Sequence, residues 1–156
     1  MTDRRTRVQE ALSAEGFGAL LLASPANMAY VCGFRPTPLK RFIALVVPRE
    51  GPLRLVAPSL EEEAARSATP DGTELFVWRD EEGPREALAR ALEGVSRRVG
   101  FEKAYLTVAY HELSAACAPG ARFDGCDELL ARLRAVKDEQ ELERLRRAAR
   151  IVDRTV

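Results

Sequence analysis

Phe42-Ile43-Ala44-Leu45-Val46-Val47, Pro48-Arg49-Glu50-Gly51-Pro52 and Leu53-Arg54-Leu55-Val56-Ala57 follow one another in the chain. Two apolar runs flank a turn that proline and glycine keep out of regular structure, which predicts an antiparallel hairpin. Downstream, beyond the turn Thr69-Pro70-Asp71-Gly72, the pattern changes to strand 74–78, helix 85–92 and strand 98–102. That is βαβ grammar and implies parallel strands. A hairpin and a βαβ unit in one short chain predict an α/β fold, a mixed sheet flanked by helices.

Working outward, Val8, Ala11 and Leu12 share one face of a helix over 3–16 that Gly16 terminates. Ala19-Leu20-Leu21-Leu22-Ala23 is a continuous apolar run, the signature of a strand covered on both faces. Ser24 is a suitable N-cap and Pro25 a suitable first residue for a helical turn that Gly33 closes. The loop from Phe34 contains Pro36 and Pro38 and resists regular pairing. Ser59 is expected to cap a helix over 59–67, with Glu61, Glu62 and Glu63 in its first turn, where the dipole favours negative charge. A helix over 107–117, a short edge strand over 121–124 and a helix over 127–135 capped by Asp127 complete this body. Asp138 and Glu141 then form a capping box for a helix over 138–156, with Leu142, Leu145, Ala149 and Val152 in an apolar stripe that no stop signal ends.

With 156 residues, the chain is long enough for one domain that buries roughly two-thirds of its unfolded surface. No apolar run approaches the ~20 residues that span a bilayer, and no apolar segment follows the basic start, so a soluble cytoplasmic protein is expected, with no membrane partner. Twenty-four basic residues balance twenty-four acidic ones, which leaves no field to attract nucleic acid. Cys32, Cys117 and Cys126 are expected to be reduced thiols.

Chemistry-bearing residues are sparse. One histidine and three scattered cysteines make no convergent metal site. His111 and Glu112 are neighbours on a helix and point to different faces, so His111 reads as a surface or capping residue rather than a base. Cys32 reads as a small buried filler, since a thiolate nucleophile would need a nearby base. Gly16-Phe17-Gly18 precedes a strand instead of following one and is no dinucleotide fingerprint. Arg144, Arg146 and Arg147 alternate with Glu139, Glu141 and Glu143 as a mixed charged helix face.

Asn27-Met28-Ala29-Tyr30-Val31-Cys32-Gly33-Phe34 resembles the N-x-x-Y-L-[TS]-G-F element near the start of Xaa-Pro peptidases, the prolidase and aminopeptidase P group related to creatinase. Val99-Gly100-Phe101-Glu102 looks like that family's I-G-[FVL]-[ED] strand. Leu133-Arg134-Ala135-Val136-Lys137-Asp138-Glu139-Gln140-Glu141-Leu142 looks like its R-x-[IV]-K-[SD]-x-x-E-[IL] junction. Cys32 stands where the family has a hydroxyl residue, and Val31 where it has Leu.

The resemblance covers essentially the whole chain and implies a non-catalytic creatinase/prolidase-type N-terminal domain over 1–136, with 137–156 a linker helix towards a catalytic metallopeptidase domain of pita-bread fold. It implies that the parent's two divalent ions (Mn, Co or Zn) are ligated beyond residue 156, so no catalytic residue, metal ligand or cofactor is assigned here. Implied partners are the chain's own catalytic domain, further copies of itself in a homo-oligomer, and proline-containing peptides bound by the parent. The implied role is in trans, narrowing the active-site mouth of a neighbouring subunit. Phe34, Arg35 and Arg41 in the loop 34–41 are the substrate-binding candidates, Arg41 for a substrate carboxylate. From the residues alone, Arg41 reads as an arginine guarding an edge strand. A stand-alone interaction or regulatory module and a small enzyme built on Cys32 are the alternatives.

Overall fold

The computed structural model describes residues 4–37, 41–95 and 97–154. Asp3 of the expected first helix, Pro38, Leu39 and Lys40 of the loop, and Thr155 and Val156 of the expected last helix lie outside the described residues.

The elements run α1 (Arg4–Glu15), β1 (Ala19–Leu22), α2 (Pro25–Cys32), β2 (Ala44–Pro48), β3 (Arg54–Pro58), a 3-10 turn (Ser59–Glu61) into α3 (Glu62–Ala68), β4 (Glu74–Trp78), α4 (Arg85–Ala91), β5 (Arg97–Phe101), α5 (Val108–Cys117), β6 (Ala121–Gly125), α6 (Asp127–Ala135) and α7 (Glu139–Asp153). None of the described helices is long and apolar enough to cross a membrane.

The strands form one six-stranded sheet in the order β4-β3-β2-β1-β5-β6. The hairpin is present as read, with Ala44 opposite Val56 and Leu45 opposite Leu55. β2 is also antiparallel to β1, whereas β3 with β4, β1 with β5 and β5 with β6 pair in parallel. β2 therefore runs against the other five, and the sheet is mixed. The βαβ unit takes a wider form than a simple unit of neighbouring strands. β3, β2 and β1 lie between β4 and β5, so the connection through α4 crosses the sheet.

The unbroken apolar run of β1 is explained by its central place between β2 and β5. Leu20 and Leu22 face a core layer with Val8, Leu12, Met28 and Leu129 from helices α1, α2 and α6. Ala19 and Leu21 face the other layer, with Leu88 and Ala91 of α4 and Val99 of β5. Every β1 residue is fully buried. Burying a leucine of this kind stabilises by roughly 1.5–3 kcal/mol. Gly100 keeps the seam between β1, β5 and α6 tight: a Cβ there would lie 2.5 Å from Leu20 Cδ2 and 2.9 Å from Cys126 Cβ.

The caps separate local from distant demands. Ser24 accepts from Asn27 N at 3.5 Å, and Gly33, at φ 81, closes α2 by donating its N–H to Ala29 O at 3.1 Å. Asp138 and Glu141 make the capping box, at 2.8 Å and 3.0 Å. Two expected caps are corrected. Ser59 opens a 3-10 turn and makes no side-chain cap, so α3 begins at Glu62 and only Glu62 and Glu63 fall in its first turn. Asp127 spends its carboxylate across the chain, accepting from Lys103 N at 3.0 Å and Ala104 N at 3.3 Å, and Cys126 occupies the N-cap position without a side-chain bond.

Candidate functional site

At the carboxyl end of the parallel strands, β1 leads into Ala23 and Ser24, and β5 into Glu102. Such edges are where open α/β sheets bind ligands. Glu102 is buried and accepts from Ala23 N at 2.5 Å and Ser24 N at 2.8 Å, so its carboxylate takes two backbone donors at the start of α2. Asn27 Nδ2 also donates to Glu102, and Asn27 Oδ1 accepts from Arg134 Nη1 at 3.0 Å. Tyr30 Oη donates to Leu133 O at 3.2 Å. The three separated motifs of the sequence therefore meet in one polar junction around α2. Its bonds satisfy buried groups and join segments, which is structural work.

The loop after α2 borders a cleft of about 130 Å³ whose walls include Pro36, Arg41, Ile43, Tyr105, Thr107 and Tyr110. Phe34, expected among the substrate contacts, is 3% exposed and packs in the core behind Gly33. Arg35 is exposed. Arg41 is also exposed, and its Nε and Nη2 donate to Asp80 Oδ1 and Oδ2 at 2.9 Å and 2.6 Å. The hydrogen bonds of this fork hold the Asp80 carboxyl below its ordinary value and raise the guanidinium. Arg41 does not guard a sheet edge, because β2, which it precedes, is an interior strand. It offers a charged fork at the cleft mouth, already engaged by Asp80.

The remaining candidates are structural. Cys32 is buried, and burial pushes its thiol up to about 11; Cys126 is pushed up to about 12 by burial and then by the Glu102 charge. With their thiols raised this far, both side chains suit the reading of Cys32 as a buried filler. His111 lies half-buried against Phe101 and Phe123, with ring centroids 4.8 Å and 5.7 Å away, so it packs on the sheet instead of standing free or capping. Among the described residues, no three His, Cys, Asp or Glu side chains lie where they could hold a metal ion together. The charged face of α7 pairs within itself, Arg146 with Glu139 at 3.1 Å and Arg150 with Glu143 at 3.0 Å.

Two participants had no signal in the sequence. Asp80 sits in a turn far from Arg41, and Arg4, at the start of α1, pairs with Asp138 at 2.9 Å and Glu141 at 3.2 Å. Glu102 and Arg134 stood inside quoted motifs, but their meeting through Asn27 was not legible from spacing.

Comparison with known proteins bears on the fold and the family. YkvY of Bacillus subtilis strain 168, which carries a provisional dipeptidase name, is 29% identical over 154 residues, 97% of this chain and 42% of its own length. The prolidase of Thermococcus sibiricus superposes with a TM-score of 0.86 at 25% identity, covering 99% of this chain and 42% of that one. A proline dipeptidase structure from Streptococcus pneumoniae TIGR4 matches with a TM-score of 0.80 at 23% identity, covering 87% of this chain and 100% of that one, and shares the fold. The chain thus spans about 42% of the length of the curated relatives it matches. The family model described as the creatinase/prolidase N-terminal domain matches residues 4–136, the whole body from α1 to the end of α6, and the chain belongs to that family.

Proposed function

We propose that this chain is the N-terminal, non-catalytic portion of a cytoplasmic, metal-dependent Xaa-Pro dipeptidase, inactive alone. The observation that carries the reading is the mismatch of coverage: relatives named as peptidases match 97% of this chain over only 42% of their own length. In this reading the catalytic groups and two divalent ions (Mn, Co or Zn) belong to the portion that this chain does not span. Proline-containing peptides are the parent's substrates. The domain contributes contacts in a homo-oligomer, and Arg35 and Arg41 border the mouth of a neighbouring subunit's site, where a guanidinium suits a peptide carboxylate. Arg41 would have to leave Asp80 to do so. The exposed stripe of α7, with Leu145 54% and Val152 61% exposed, supports a covering surface supplied by the rest of the parent.

The test is an assay of the purified chain with Xaa-Pro dipeptides and added Mn²⁺ or Co²⁺. No proline release is expected. Robust metal-dependent turnover would overturn the proposal.

A further inference from the structure

α7 leaves the body of the protein with none of its residues buried. An open groove bordered by Ala131, Ala135, Arg144 and Leu145 separates it from α6. A packed helix takes its direction from ridges set into grooves. α7 has no such seat, so its direction depends on what holds its first turn.

Arg4, at the far end of the sequence, holds that turn. Its Nη2 donates to Asp138 Oδ2 at 2.9 Å and lies 3.2 Å from Glu141 Oε1. Its Nη1 donates to Tyr30 O at 3.4 Å, and the guanidinium lies over the Tyr30 ring, 5.0 Å from the centroid. Two carboxylates on one side and a carbonyl and a ring on the other fix a planar cation in orientation as well as position. Tyr30 is itself anchored through its hydroxyl to Leu133 O at the end of α6. Each carboxylate divides its oxygens between two tasks. Asp138 Oδ1 accepts from Glu141 N and Glu141 Oε2 from Asp138 N, which starts the helix, while Oδ2 and Oε1 face Arg4. The side chains of Arg4, Asp138 and Glu141 are only 29%, 17% and 25% exposed, so solvent and salt screen the group less than they screen a surface pair.

We propose that Arg4 is a positioning residue that braces α7 against α2 and sets the direction in which this helix leaves the domain. The device is complete within this chain and does not depend on the peptidase reading.

Residual dipolar couplings and backbone order parameters of the ¹⁵N-labelled chain test it. In the unchanged protein, α7 is expected to share the alignment of the sheet, with order parameters near about 0.85. Arg4→Gln is expected to shrink the α7 couplings and drop its order parameters below about 0.6 while the sheet couplings stay the same. The double variant Asp138→Asn, Glu141→Gln keeps capping side chains but removes both charges, and it should loosen α7 equally while its Cα shifts remain helical. The proposal is overturned if α7 keeps the sheet's alignment in both variants. It is equally overturned if α7 already moves independently in the unchanged protein.

Discussion

Gly33 shows how one residue can be required twice. Its φ of 81 lies in the left-handed region, and a Cβ there would sit 2.8 Å from Ala68 O, a backbone atom that cannot swing away. Gly33→Ala is expected to destabilise the fold by about 1–3 kcal/mol, read as a lower midpoint in urea denaturation. An unchanged midpoint would refute this account of the turn. The cysteines give a second prediction. With thiols pushed up to about 11 and about 12, Cys32 and Cys126 should alkylate slowly in the folded protein at neutral pH, and denaturant should remove the difference from a free thiol. Fast labelling of Cys32 in the native state, followed by mass spectrometry, would revive it as a reactive site. Gly33 was legible as a helix stop because its signal is local. The burial of Phe34 beside it was not, since an apolar residue in a loop can turn inward or outward and only the packed core decides.

The first turn of α7 responds to acid through its cap. The hydrogen bond from Arg4 holds the Asp138 carboxyl below its ordinary value of 3.8, and the backbone N–H of Glu141 adds to this. A folded-state value below the unfolded one means that the ionised form favours the folded junction. The contribution is therefore present above pH 3.8 and is lost as the pH falls through the lower folded value. Amide exchange of α7 should accelerate in that acidic range before the sheet opens, and the Asp138 carboxyl should titrate below 3.8 by NMR. A titration at or above that value would contradict the clamp. The start of this helix was readable because a capping box lies within four consecutive positions. Ser59 and Asp127 misled for the opposite reason: an Asp or Ser before a helix serves whichever donor the tertiary fold brings nearest, and for Asp127 that was the backbone after β5.

Across the whole molecule, hydrophobic pattern identified the strands, with their ends one or two residues off at most, but not their order. Local periodicity says that 74–78 and 98–102 are strands; it carries nothing about the three strands that come to lie between them. The same limit applies to the candidate site. Motif residues announced themselves one by one, while their assembly around Asn27 and the partnership of Arg41 with Asp80 were products of the fold. The order of the sheet also bears on how the chain is made. Synthesis proceeds from the N-terminus, and β1, buried along its whole length, acquires its β2 neighbour soon after it appears, whereas β5 lies beyond α4. Until Val99, Gly100 and Phe101 have left the ribosome, Ala19, Leu20 and Leu21 present an open apolar edge. A nascent chain stalled before β5 would therefore be a natural client for a chaperone or a protease.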